Sequence, residues 1–231
     1  MSEMTRTSLR SDVLHALSNV LFGIALGLVA YFLLSDVFGA LQQRQLRDTS
    51  PWRGSAREPI VEPTSTPGPV MDFSGWEDED RAYWDGLEEG GVFGRLVIPR
   101  MKLDIVVVKG TSTADLKRGP GWIEWSSLPG PTGTCGIAGH RTTYLAPFRS
   151  IQKLVVGDTI VVYSPFRRYS YRVEKHIQVT PDRVDVLADA GYPRLGLSAC
   201  HPPYSARYRY VVLAKLIEVR RLVETSGTAG R

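Results

Sequence analysis

A chain of 231 residues, 43% hydrophobic and 10% aromatic, is long enough to bury one ordinary core and carry appendages. Its formal charge of +4 comes from basic and acidic residues scattered along the chain rather than gathered into a stripe, so no nucleic-acid partner is expected. Two cysteines exclude a disulfide framework, and without CxxC, HExxH or a Cys/His cluster no metal and no other cofactor is expected.

Residues 1–12 are a polar N-terminus. "VLHALSNVLFGIALGLVAYFLL" follows at 13–34, free of Asp, Glu, Lys and Arg. At about 1.5 Å per residue it reaches roughly 33 Å, enough to cross a hydrocarbon core of roughly 30 Å, and it is read as a transmembrane helix. A cleaved signal peptide is the competing reading, disfavoured because the apolar run outlasts an h-region and no A-x-A site precedes the polar stretch. Arg6 and Arg10 flank one end and Arg44 and Arg47 the other, so charge leaves the orientation open. Residues 35–75 are read as a linker, whose prolines in "PWRGSAREPIVEPTSTPGP" interrupt regular structure. Residues 76–90 are acidic and carry Trp76, Tyr83 and Trp84; they form a short helix packing its aromatics on the domain, or a lid.

From residue 91 the pattern changes to short strands. "FGRLVIP", "LDIVVVKG", "GTCGIAGH", "DTIVVYS", "YSYRVEKHIQVT", "RLGLSAC" and "RYVVLAKLIEV" are rich in Val, Ile, Tyr and Leu and are separated by Gly and Pro breaks. Helical pieces fit "TSTADLKRG", with Thr113 as N-cap, "LAPFRSIQKL" and "PDRVDVLADAG". The sum is a mainly antiparallel β domain over 91–221, closed into a barrel because many short strands need their edges paired. Residues 222–231 are a C-terminal tail.

Cys200 ends an apolar run, and "HPPY" after it cannot continue a central strand, so the thiol sits where strand meets loop. His140 ends "CGIAGH" in the same way. A thiol needs a neighbouring imidazole or guanidinium to become a nucleophile at neutral pH, and attack on a carbonyl needs a fixed donor for the developing oxyanion. Arg209, opening "RYVVLAKL", stands near Cys200 if that strand pairs beside "LGLSAC". A buried structural cysteine and a solvated strand-end arginine are the bland alternatives, and spacing alone does not exclude them.

"FGRLVIPRMKLDIVVVKGTS", "DLKRGPGW", "GIAGHRTTYLAPF", "VVGDTIVVYS" and "LSACHPPYSARYRYVVLAKL", in that order, resemble a sortase, the membrane-anchored cysteine transpeptidases of Gram-positive cell envelopes. The resemblance is strongest to class E, then to the pilin-polymerising class C. It implies a barrel of about eight strands with short helices, Cys200 as nucleophile, His140 as acid/base partner, and Arg209 as the substrate- and oxyanion-binding arginine in preference to Arg207. It also implies cleavage of an LPxTG- or LAxTG-like sorting signal on surface proteins, with the acyl group passed to a peptidoglycan-precursor amine or a pilin lysine. A single-pass protein of the cell membrane with its catalytic domain outside is the implied topology. A non-catalytic, membrane-tethered binding barrel is the alternative from another class.

The sequence departs from the family's T-L-x-T-C before the nucleophile, with Gly196 and Ala199 at the threonine positions. A hydroxyl for the substrate is therefore expected to be missing at Ala199. Trp122 and Ile123, in a stretch unlike class E, and Thr142, after His140, are further substrate-binding candidates. His201 is another, although alternation turns it away from Cys200. His176 is expected on a strand surface, nothing selects Asp182 or Asp185 to orient an imidazole, and Cys135 is either buried or a redox partner of Cys200.

Overall fold

The computed structural model describes residues 3–51 and 70–222. Helix α1, Glu3–Thr49, leads into a π-helical turn, Glu77–Arg81, continued by α2, Ala82–Asp85; after β1, Val92–Ile98, and β2, Leu103–Lys109, comes α3, Thr113–Arg118. The remaining strands are β3, Gly121–Trp122; β4, Thr134–Ala138; β5, Thr159–Tyr163; β6, Arg167–Val179; β7, Arg194–His201; and β8, Tyr208–Arg221. They close into a barrel in the order β1-β2-β3-β4-β7-β8-β6-β5. Pairing is antiparallel except for β2 with β3 and β4 with β7. The mainly β expectation holds, and every strand has a neighbour on each side, although the two-residue β3 pairs only the end of β2 and leaves Val106 on an edge.

Alternation sorts the strands into two faces. Cys135, Ile137, Leu195, Leu197, Ala199, Val212 and Ala214 point into the barrel and join one core with Phe93, Trp122 and Tyr169. The Phe93 and Trp122 rings stack at 5.0 Å. On the outer face Ile123, Leu187, Val211 and Leu213 form a second apolar cluster with Ala138, Ile177 and Val179. The 3-10 turn Val184–Leu187 lies across this face, where Leu187 occupies the space that side chains at Gly136 and Gly196 would take.

Several boundaries move. The linker expected at 35–75 begins inside a helix, because α1 runs unbroken to Thr49, and residues 52–69 lie outside the described residues. Its buried positions, Ser35, Gly39, Gln43 and Leu46, share one face. Leu46 packs on Val106 and Val108, while the Gln43 amide accepts from Val106 N at 2.8 Å and donates to Val106 O at 3.0 Å. Hydrogen-bond partners on the β2 edge therefore make the last turns of α1 part of the domain. Ser112, not Thr113, caps α3: its hydroxyl accepts from Asp115 N, and the Asp115 carboxylate accepts from Ser112 N, a capping box. "LAPFRSIQKL" yields only the 3-10 turn Ile151–Lys153, since Pro147 and positive φ at Tyr144, Leu145 and Ala146 forbid a longer helix. "PDRVDVLADAG" yields the single turn Val184–Leu187.

The acidic segment plugs one end of the barrel. Trp84 stacks on Phe93 at 5.2 Å and donates from Nε1 to Phe93 O at 2.8 Å, and Trp76 Nε1 donates to Pro129 O at 3.0 Å. Asp80 pairs with Arg167 at the start of β6, which lies opposite Arg221 at the end of β8. Cys200 and Arg209 occupy the other end of β7 and β8, so packing of aromatics describes this segment and a lid over Cys200 does not.

Candidate active site

Register brings the three chemistry-bearing residues to one end of the barrel. Cys200 is paired directly with Arg209 across β7 and β8, so both project on the same face. With Leu197 and Ala199 inside the barrel, that face is the outer one. β4 runs parallel to β7 with Ala138 beside Ser198, and Gly139 N still donates to Ser198 O at 3.0 Å. His140 follows two residues past the end of β4, as Cys200 follows Ser198 on β7, so both leave the sheet at the same end of the barrel. The result is Cys200 and Arg209 on adjacent strands, with His140 just past the end of the neighbouring β4, at one barrel end beside an apolar patch of Ala138, Val211 and Val179.

Each member is held differently. Phe148 N donates to His140 O at 3.0 Å, anchoring the backbone where the loop leaves β4. The His140 ring is half-buried against Tyr144, centroids 5.5 Å apart, and its buried Nε2 makes no hydrogen bond among the described residues. Burial, and then the charge of Lys117, lower the His140 pKa from its ordinary 6.5. Arg209 donates from Nη1 to Ala206 O at 3.1 Å and Tyr208 O at 3.3 Å, which keeps the guanidinium at the rim. Cys200 is half-buried and its thiol is free.

The lowered His140 pKa has a sign. Between the depressed folded value and 6.5 the unfolded chain binds the proton more readily, so this residue's contribution to stability is present above 6.5 and lost as pH falls through that window. Lys117→Gln removes the smaller of the two causes, so the His140 titration followed by imidazole NMR is expected to move upward without reaching 6.5. An unchanged or lower midpoint would show that Lys117 does not act on the ring.

The structure separates the remaining candidates. Trp122 is a core residue stacked on Phe93, not a substrate contact, because strand alternation turns it inward while Ile123 turns out onto the outer apolar patch. Ala199 is 2% exposed and opposes Tyr210 inside the barrel, so a hydroxyl there would face the core and its absence removes nothing from the cleft. Gly196 makes room for Leu187. His201 turns away from Cys200 as alternation requires: its ring lies 5.7 Å from that of Tyr210, and its Nδ1 is 2.7 Å from the Arg141 guanidinium. Thr142 lines a cleft of about 360 Å³ with Phe32, Asp36, Arg149 and Tyr204.

Cys135 pairs with Leu195 and points into the core, five residues along the strand from the level of Cys200. At about 3.3 Å per residue the two thiols are far beyond disulfide reach, so the redox pairing fails. Burial also pushes the Cys135 thiol well up, away from the reactive thiolate. Arg207 is exposed and rests on the Tyr208 ring, while Asp185 pairs with Arg183 at the surface. His176 is half-buried, its Nδ1 3.2 Å from the Tyr210 hydroxyl. One residue that sequence reasoning passed over is Arg141. Nearly buried, it donates to Cys200 O at 3.3 Å and Gln152 Oε1 at 2.7 Å, tying the loop after His140 to the strand carrying the thiol. Its place directly after His140, on the opposite side of the chain, was the available signal.

Comparison with known proteins decides the family. The sortase-domain model matches residues 96–217, more than half of the chain. The chain belongs to the sortase family. Sortase SrtE1 of Streptomyces coelicolor is 32% identical over 150 residues, 58% of this chain and 43% of that protein; Sortase A of Bacillus anthracis is 30% identical over 132 residues, 57% of this chain and 62% of its own length. The chain thus spans between two fifths and two thirds of these two relatives. The crystal structure of sortase E1 from S. coelicolor with a tripeptide in its active site superposes with a TM-score of 0.55 at 29% identity, covering 57% of this chain and 91% of that one. The sortase likeness covers the barrel together with His140, Cys200 and Arg209.

Proposed function

We propose that this sortase is a membrane-anchored cysteine transpeptidase that cuts an LPxTG- or LAxTG-like signal between Thr and Gly and transfers the acyl group to a cell-wall amine. The observation that carries the reading is the direct pairing of Cys200 with Arg209 at the barrel end where β4 runs out towards His140, beside an apolar patch. The Cys200 thiolate attacks the threonine carbonyl carbon, and the charge that builds on oxygen is met by the Arg209 guanidinium. The C–N bond breaks as His140, in its imidazolium form, gives its proton to the leaving amine. The accepting amine then attacks the thioester, loses its proton to His140, and expels the Cys200 thiolate. Thiolate and imidazolium need only coexist in a fraction of molecules, and the lowered His140 pKa makes that fraction smaller at neutral pH.

Residues 13–34 hold the enzyme in the membrane, with the N-terminus in the cytoplasm and the barrel outside. All their side chains but Phe32 stand exposed, as lipid contact requires, and mean hydropathy over the most apolar window is 2.2. Surface proteins bearing sorting signals and a peptidoglycan-precursor amine are the partners this reading assigns. The pilin-polymerising alternative differs only in its acceptor, a lysine amine of another protein; the lid at 76–90 that could have accompanied it is absent from the cleft, because the Asp80 to Arg167 pair keeps that segment at the far end of the barrel.

Mass spectrometry of the full chain with a small library of five-residue signals and an added amine tests the reading. Cleavage after Thr, an acyl adduct on Cys200 and transfer to the amine are the expected outcome. An adduct on Cys135, or no adduct with any member of the library, would count against it.

A further inference from the structure

Helix α1 meets the loop that leaves His140. A side chain at Gly39 would come within 3.1 Å of Leu145 Cγ and 3.2 Å of the Tyr144 carbonyl carbon, so helix and loop approach closely at a glycine. One turn away, Asp36 Oδ1 accepts from Leu145 N at 2.9 Å. The Phe38 ring packs edge-on to Tyr144 with centroids 6.3 Å apart. Across the cleft Phe32 packs edge-on to Tyr204, in the loop that leaves Cys200, at 6.4 Å.

The part of the loop that α1 grips is its least favourable backbone. Tyr144, Leu145 and Ala146 have φ of 52°, 64° and 41°, three successive side-chain-bearing residues in the left-handed region that favours glycine. Inside the loop Ala146 N donates to Thr143 O at 2.9 Å, whereas the Leu145 amide finds its acceptor on α1. Tyr144, the first of the three, is the residue whose ring lies against His140.

We propose that α1 is a positioning element for the His140 loop: Asp36, with Gly39 and Phe38 beside it, holds residues 144–146 in the left-handed conformation that sets Tyr144 against His140. The helix that enters the membrane thereby shapes the catalytic face as well as tethering it. The consequence for turnover rests on the transpeptidase reading; the clamp itself does not.

The full chain in detergent micelles, as wild type, Asp36→Ala, Asp36→Asn and Phe38→Ala, is compared by steady-state kinetics on a cleaved signal peptide and by hydrogen exchange over residues 143–148. Asp36→Ala is expected to lower kcat about tenfold with KM within about twofold, and to speed exchange of the loop. Asp36→Asn, whose amide oxygen accepts from the same N–H, is expected to stay within about threefold of wild type. Wild-type kcat and exchange in Asp36→Ala would overturn the proposal, and so would equal losses in Asp36→Ala and Asp36→Asn. If wild type cleaves no peptide, the transpeptidase reading alone fails and exchange decides the clamp: faster exchange in Asp36→Ala and Phe38→Ala supports it, and unchanged exchange in both overturns it.

Discussion

Cys200→Ala is expected to abolish both transfer product and acyl adduct, a fall in turnover on the order of 10⁴-fold or more, while leaving the barrel intact. The expectation follows from where the thiol stands. Cys200 lies on the outer face at the end of β7, half-buried, outside the core that Leu195, Leu197 and Ala199 join, so losing one sulfur there removes little packing. No second thiol can substitute, because Cys135 faces the core with a pKa pushed well up by burial. Cys135→Ala therefore gives the complementary result: some stability lost from a filled core, and labelling of Cys200 by a thiol-reactive peptide retained. Product formation surviving Cys200→Ala would end the covalent mechanism.

What the sequence disclosed was whatever depends on local pattern. Runs rich in Val, Ile, Tyr and Leu between Gly and Pro breaks located the long strands, the residues that follow Cys200 and His140 placed both at strand ends, and alternation turned His201 away from the thiol. The preference for Arg209 over Arg207 came from the family resemblance, and it is Arg209 that stands directly opposite Cys200 across β7 and β8. Long-range pairing was less legible. The parallel contact of β4 with β7 joins residues sixty positions apart and leaves no mark in either segment, yet it is what brings the strands ending before His140 and at Cys200 to one end of the barrel. β3 has two residues, too few to show a period, so Trp122 and Ile123 were read as one unit although they face opposite ways. Ala199 misled for a related reason: a family motif gives a residue's identity, whereas its direction depends on the strand. The docking of α1 was hidden because Gln43 and Asp36 are polar, and only the partners waiting on β2 and at Leu145 give them a role.

At the far end of the barrel Arg167→Met is expected to cost about 3–5 kcal/mol, a large part of the roughly 5–15 kcal/mol that holds a domain folded, and more than Asp80→Asn. Arg167 and Asp80 are both fully buried. Arg167 also reaches Glu79 at 2.9 Å and donates to the carbonyls of Asp72 and Ser74. Removing the guanidinium leaves a buried carboxylate and two carbonyls without their donor. Asp80→Asn keeps an acceptor in place and leaves Arg167 with Glu79, a loss of about 1–2 kcal/mol. Burial pushes the Asp80 carboxyl above its ordinary 3.8 against the pull of Ser164 and Arg167, so the folded chain holds this proton more tightly than the unfolded one and stability falls as pH rises through that window. Without Arg167 the pKa rises further, and part of the Arg167→Met loss is expected to return on acidification as Asp80 becomes neutral. Urea unfolding of the full chain in micelles, followed by the fluorescence of buried Trp84, measures both variants at two pH values. Equal losses, or a loss that deepens with acid, would show that Arg167 is not the group that neutralises Asp80. Because the pair lies at the end of the barrel away from Cys200, Asp80→Asn should also leave peptide cleavage unchanged while folded, whereas a lid would have raised it.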